Sequence, residues 1–222
     1  MNSENYDLYD RVMAEWYSKV VSQGYHNQLK YVNELLQIIP EGSSTLELGC
    51  GAGDTLIPLI KEERVCEGID KSQDMLAKLH SRQTHIVTYP FDVRDFTPKS
   101  TYDFVFSCNG VFSIKGNELE SYLLKREELI DCLRRYSAIS KNGLVVNKGV
   151  SKDSIRLPLN GIEFVHKEIR EGDIMVMVHL LFDDNKNLLE ERTHVKRRYP
   201  LDEILQGTKL RELTENFYLL KF

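Results

Sequence analysis

The sequence predicts an α/β protein, a doubly wound parallel sheet with helices on both faces. Two patterns carry that reading. Short apolar runs alternate with amphipathic stretches from residue 44 to residue 150, and the first apolar run ends in a glycine-dense turn, TLELGCGAGD at 45–54. The alternation is that of β-α-β units, and the glycines mark a backbone that something approaches closely. No repeat, low-complexity tract or Pro/Gly/Ser linker divides the chain. Its 222 residues, 41% hydrophobic, suffice for one well-buried core and are tight for two. A single domain over 1–222 is therefore expected, with a helical cap at 1–40, a ligand-binding core at 41–150 and a final section at 151–222 that completes the sheet.

The elements are justified in order. Val12, Trp16 and Val20 share one helical face, and Tyr25, Leu29, Val32, Leu36 and Ile39 another, before Pro40 and Gly42 stop the pattern. Residues 6–39 are thus two helical pieces. STLELGC (44–50) is a strand and DTLIPLIKEE (54–63) a helix interrupted early by Pro58. RVCEGID (64–70) is a strand, and SQDMLAKLHSR (72–82) a helix with Ser72 as N-cap. HIVTYPF (85–91) and YDFVFSC (102–108) are strands. Asn117 and Glu120 resemble a capping box opening a long helix through Leu123, Ile130 and Leu133, followed by a strand in NGLVVNKGV (142–150). EFVHKEIR (163–170), DIMVMVHLLF (173–182) and LLEERTHVKRRY (188–199) read as antiparallel ribbons joined to the sheet. Pro200 opens a short helix ended by Gly207, and ELTENFYLLKF closes the sequence as a strand.

A strand, a glycine turn and a helix N-terminus form a ligand site at the carboxyl end of a parallel sheet. Here the glycines are Gly49, Gly51 and Gly53, spaced G-x-G-x-G, and no G-K-[ST] follows. Neither the dinucleotide fingerprint nor a P-loop is present. Acids flank the turn: Glu47 before it and Asp54 after it. A phosphate there meets repulsion of about 1–4 kcal/mol per nearby charge, and a cation gains as much. The expected ligand is a nucleoside that carries positive charge and no phosphate, which S-adenosylmethionine (SAM) satisfies with its sulfonium and ammonium. Asp70, at the end of the next strand, is placed to accept from ribose hydroxyls, and Asp92 ends the third strand where an adenine amino group would lie.

With LELGCGAG, GIDKSQDML, FDVRDF and YDFVFSCNGVF in this order, residues 45–113 resemble the class I SAM-dependent methyltransferases. The resemblance implies a Rossmann-like seven-stranded sheet with a reversed last strand in FYLLKF. It also implies site roles by position. Glu47 with Gly49, Cys50, Gly51 and Gly53 holds the methionine moiety, and Asp70 with Lys71 the ribose side. Asp92 and Val93 meet the adenine, and Met75 packs on its ring. Cys108 and Asn109 line the methyl-donor side, and Tyr17 closes over the cofactor from an N-terminal helical lid. The implied activity is transfer of methyl from SAM to oxygen or nitrogen of a small-molecule acceptor, leaving S-adenosylhomocysteine and using no metal.

Other features bound this reading. The net charge of −5 gives no general positive field for nucleic acid. The fourth strand ends in SCNGVF, not the N-P-P-Y of enzymes that methylate amide-like or adenine nitrogens. An RNA or protein methyltransferase is the first rival, and a non-catalytic SAM-binding subunit the second. Cys50, Cys66, Cys108 and Cys132 form no C-x-x-C pair, so reduced thiols in the cytoplasm are expected, and Cys108 reads as a small buried residue and not a nucleophile. The polar, acidic start MNSENYDLYD is not expected to be a signal peptide, and no apolar run nears the ~20 residues of a membrane span. VKRRY (195–199) reads as a solvated strand end before an anion site. His166, His179 and His194 are the candidate bases. In DIMVMVHLLF, Met175, Met177, His179 and Leu181 share one side, expected to wall the acceptor pocket, while the β-branched side packs on the sheet. His179 is thus the expected catalytic residue, with Asn109 a second candidate.

Overall fold

The computed structural model describes residues 10–22, 28–123, 125–149, 154–159, 162–205 and 208–222. The expected roles of Tyr25 and Gly207 lie outside the described residues. The first half runs α1 (Arg11–Ser22), α2 (Gln28–Ile38), β1 (Ser44–Leu48), α3 (Leu56–Lys61), β2 (Val65–Ile69), α4 (Gln73–Arg82), β3 (Val87–Tyr89) and β4 (Phe104–Ser107). Then come β5 (Phe112–Lys115), β6 (Glu118–Ser121), α5 (Arg126–Ala138) and β7 (Leu144–Asn147). The last third holds β8 (Ser154–Leu159), β9 (Ile162–Glu171), β10 (Ile174–Asp183), β11 (Leu188–Pro200), α6 (Leu201–Ile204), β12 (Lys209–Glu212) and β13 (Phe217–Lys221).

The main sheet has seven strands in the order β12-β13-β7-β4-β1-β2-β3. The central strands are parallel, and β13 runs against β7, as expected of a reversed last strand. Leu46, Leu48, Val105 and Val146 put one face of this sheet into a core shared with α5, and Phe106 and Val145 put the other against α2 and α3. Both faces are covered, which is why these strands read as nearly continuous apolar runs. Pro58 falls in the first turn of α3, where its missing N–H breaks no helical bond. Ser72 caps α4 as expected, its Oγ accepting from the Met75 amide at 3.3 Å. In α2 the buried face is Tyr31, Val32, Leu35 and Ile39, and Leu29, expected on that face, is 74% exposed.

Three expectations are corrected. The stretch from Asn117 does not open the long helix. Residues 112–121 form an antiparallel hairpin, and α5 begins only at Arg126. Gly116 sits at φ 58°, a left-handed turn position that a hairpin tip needs, so the Asn117/Glu120 spacing coincides with a turn and not a cap. The C-terminal ribbons do not extend the main sheet. With the 112–121 hairpin they form a second, six-stranded antiparallel sheet, β5-β6-β11-β10-β9-β8. ELTENFYLLKF is not one strand either, because β12 and β13 fold back on each other around a 213–216 turn.

That turn is held by α2. Glu34 accepts from the Asn216 amide at 3.0 Å and from the side chains of Thr214 and Asn216. Burial pushes the Glu34 carboxyl up, but these donors outweigh it and the net shift is downward. A lowered folded pKa stabilises the fold above the unfolded value near 4.3, and the gain is lost as pH falls through the folded pKa. Glu34→Ala should therefore destabilise by roughly 1.5–3 kcal/mol in urea unfolding at pH 7. The difference from wild type should shrink below pH 4, and a pH-independent difference would remove the carboxylate from the account.

Candidate active site

The carboxyl end of β1 opens into a turn in which Gly49, Gly51 and Gly53 all have left-handed φ values of 73°, 51° and 80°. The space around the turn is tight. A Cβ on Gly51 would lie 3.0 Å from the Met75 Cε, and one on Gly110 only 2.5 Å from the Leu48 carbonyl oxygen. Asp70 braces the turn from the end of β2. Its Oδ2 accepts from the Gly51 amide at 2.8 Å and its Oδ1 from the Ser72 amide at 2.9 Å. One carboxylate thereby fixes both the glycine turn and the start of α4.

Glu47 is only 1% exposed, and its Oε2 has no hydrogen-bond partner among the described residues. Burial, followed by the nearby Asp54 and Asp70 charges, pushes its carboxyl well up, against a hydrogen bond from Thr55. A buried carboxyl with an orphan oxygen at the floor of a cleft suits a ligand ammonium, which supplies both charge and donors. The cleft brings together Glu47, Gly49, Cys50, Gly51, Met75, Cys108, Asn109 and Tyr17. Tyr17 and Met75 pack with Ala14 and Ala52. Burial raises the Cys108 thiol well above its usual value, which disfavours a thiolate and leaves it a small wall residue. Asn109, at φ 56°, is the turn residue before Gly110, and its amide donates to the Asn147 Oδ1 at 3.1 Å while its own Oδ1 accepts from Asn147 at 3.0 Å.

Not every expected residue enters the cleft. The Asp92 carboxylate is gripped bidentately by Arg94, both contacts at 2.9 Å. Burial raises the Asp92 carboxyl, and Arg94 brings it to a net lowering. The Val93 side chain lies in the main core, and its carbonyl accepts from the Tyr136 hydroxyl at 2.7 Å. Lys71 is exposed beside Asp70, and Gly53 packs on Leu79 behind the turn. The Asp54 charge is answered by Arg82 at 2.6 Å, so Glu47 and Asp70 supply more of the field at the turn than Asp54 does. Gln28, Thr55 and Asn147 were missed by sequence reasoning. Gln28 reaches the Thr55 hydroxyl at 2.7 Å from α2, a contact with no local signal. Thr55 directly follows the GAGD run and was the more legible of the three.

A model of a methyltransferase domain matches residues 45–133, the segment that builds this turn. Over that segment the chain is similar to the class I SAM-dependent methyltransferases. It is 29% identical over 158 residues to the dTDP-3-amino-3,4,6-trideoxy-alpha-D-glucopyranose N,N-dimethyltransferase of Streptomyces venezuelae, covering 65% of this chain and 63% of that one. A relative from Geobacillus sp. (strain WCH70) is 28% identical over 138 residues, 60% of this chain and 54% of that one. The chain thus spans about half to two-thirds of the curated relatives it matches. The SAM-bound amino pentose methyltransferase CalS10 of Micromonospora echinaspora shares the fold at a TM-score of 0.68 and 18% identity, with 99% of each chain covered.

Two outcomes are expected of this methyltransferase site. Asp70→Ala loses charge-assisted hydrogen bonds of about 1.5–3 kcal/mol each, so SAM affinity by calorimetry should fall about 100-fold or more. Unchanged affinity would remove Asp70 from the cofactor site. If a bound ammonium ionises Glu47, whose carboxyl is raised in the free protein, SAM binding should release a proton and tighten as pH rises above the ordinary carboxylate range. Calorimetry in buffers of different ionisation enthalpy should show that release in wild type and less of it in Glu47→Gln. Equal release in the two would place the ammonium elsewhere.

Proposed function

We propose that this chain transfers a methyl group from SAM to a nitrogen of a small, amine-bearing acceptor, with a hydroxyl oxygen the second choice. The observation that carries the reading is the buried Glu47, with its orphan oxygen, set against a left-handed glycine turn that Asp70 braces. Glu47 and the turn suit the methionine end of SAM, Asp70 the ribose and Met75 the adenine ring. When bound, SAM supplies an electrophilic methyl on sulfonium sulfur. What the chain contributes is alignment, because a nucleophile held about 3 Å from the methyl and in line with sulfur gains most of the available acceleration. The amino-sugar dimethyltransferase named above favours nitrogen over oxygen as the acceptor atom. No metal, nucleic acid or membrane enters the reading. Among the described residues no helix is long and apolar enough to cross a membrane, and the four cysteines, all buried and free, suit the reducing cytoplasm.

The second sheet supports an acceptor-orienting role for its histidines. On β10 the buried side is Met175, Met177, His179 and Leu181, whereas Ile174, Val176, Val178 and Leu180, expected to pack on the sheet, are only half-buried. The His179 ring lies 5.0 Å from that of His166 and 4.9 Å from that of His194, centroid to centroid. Helix α1 carries this face towards the cofactor turn. Met13 and Val20 pack on Phe164 and Leu181, and Tyr17 adjoins both that cluster and Met75. Burial, then the neighbouring His179 and Lys196 charges, holds the His194 imidazole well below its usual pKa and therefore neutral. A neutral imidazole keeps a lone pair that can accept a hydrogen bond from the acceptor amine and orient it. Among the described residues no cluster of His, Cys, Asp and Glu has a geometry that could hold a metal ion.

The test of function is incubation with isotope-labelled methyl-SAM and amine or alcohol mixtures, read by mass spectrometry. A labelled amine product is expected. SAM binding with no labelled product and no S-adenosylhomocysteine would favour the non-catalytic subunit. His179→Gln should lower turnover at least tenfold with SAM affinity within about twofold, since only the transition state loses a partner. Unaffected turnover would make His179 structural.

A further inference from the structure

The inner face of the second sheet holds more polar chemistry than a packed core tolerates. Cross-strand register sets His194 opposite Met177 and Met177 opposite Glu168, then Lys196 opposite Met175 and Met175 opposite Arg170. One step further, Arg198 lies opposite Glu120. Side chains alternate along a strand, so all of these share one face with the histidine row. The other face is apolar where β5, β6 and β11 meet the main core through Phe112, Leu119 and Tyr199. On the polar face, Glu120 is 5% exposed and His194 8%. Glu120 Oε1, His194 Nδ1 and Arg198 Nε have no hydrogen-bond partner among the described residues. Buried polar atoms are almost always satisfied, so three orphans on one face point to a ligand.

The neighbours say which kind. Arg170 is paired with Glu168 at 3.1 Å and Arg198 with Glu118 at 2.6 Å. Lys115 and Lys196 lie within electrostatic reach of Glu120, so no strong excess of positive charge awaits a phosphate. Apolar walls alternate with these groups: Met175, Met177 and the Tyr122 ring, over which the Lys196 Nζ sits at 4.6 Å. At one end, the Lys71 charge beside Asp70 reaches His194. At the other, a cavity of about 530 Å³ opens between Lys115, Glu118, Arg170, Arg198 and Pro200. Four strand residues separate His194 from Arg198, roughly 13 Å at ~3.3 Å per residue. The stretch of face that carries the orphan atoms is thus longer than an amine alone would span. Orphan donors and acceptors set among flat apolar patches match a molecule with hydroxyls on its edges and C–H groups on its faces.

We propose that the inner face of the second sheet is the acceptor chamber, and that Glu120 and His194 recognise the hydroxyls of an amino sugar whose amine is methylated at the histidine end. The proposal rests on the methyl-transfer reading and deepens it. Its test is made on the full chain with labelled methionine methyl groups and saturating S-adenosylhomocysteine. The probes are methyl 3-amino-3-deoxyglucopyranoside and cyclohexylamine. The amino sugar should shift the Met175 and Met177 methyl signals saturably, and cyclohexylamine should bind at least tenfold more weakly. Glu120→Gln should weaken the amino sugar at least tenfold and leave S-adenosylhomocysteine affinity within twofold. If the amino sugar does not move those two signals, if cyclohexylamine binds as well, or if Glu120→Gln binds the sugar like wild type, the proposal fails. Should Glu120→Gln not fold, the wild-type methyl shifts decide alone. Binding at Met175 and Met177 without label transfer from SAM would sink the methyl-transfer reading and leave the chamber standing.

Discussion

The carboxylate of Asp70 is the contact on which the rest of the site depends. It accepts from the Gly51 amide on one side and the Ser72 amide on the other, so two segments 19 and 2 residues away along the chain share one anchor. Charge-assisted bonds to backbone amides are short and directional, and they fix a turn that three left-handed glycines would otherwise leave loose. The consequences run outward. Ser72 starts α4, which presents Met75 to the cofactor turn and Lys78 to α1, where the Lys78 Nζ donates to the Ala14 and Glu15 carbonyls at 3.1 Å. Helix α1 then carries Tyr17 over the turn and presents Met13 and Val20 to the second sheet. Asp10 extends the link by pairing with Arg192 at 2.6 Å. One short carboxylate thus stands at the start of a chain of contacts that reaches the second sheet.

Electrostatics divides the acids near the sheet's carboxyl end into two groups. Asp54 and Asp92 each face an arginine, Arg82 and Arg94, and act as struts. Among the described residues no cation pairs with Glu47, and its burial disfavours the charged form until a cation arrives. Glu47 thus keeps an oxygen for a positively charged ligand, in line with its proposed role. The two sheets then divide the work. The parallel sheet, with both faces covered, carries the glycine turn. The antiparallel sheet keeps one apolar face for the core and one mixed face of histidines, methionines and ion pairs, the face proposed to hold the acceptor.

Sequence by itself determined what is local: the glycine turn with Glu47 and Asp70, the Ser72 cap, the parallel strands β1, β2 and β4, the reversed last strand and the two-residue periodicity of the ribbons. Each rests on neighbouring residues, for which backbone conformation and side-chain alternation are sufficient cause. Only the tertiary structure decided what depends on a distant partner. The 112–121 segment became a hairpin because Leu119 and Glu120 pair with Tyr199 and Arg198, nearly 80 residues on. No helical period competes with two paired edges. The same pairing detached the ribbons from the main sheet and turned the His179 side of β10 inward, leaving its β-branched side half-buried. The Asp92 carboxylate, expected at the adenine, is held by Arg94, two residues on. Charges on neighbouring residues are visible in a sequence, but which way each side chain points is set by the packing of elements far apart in the chain.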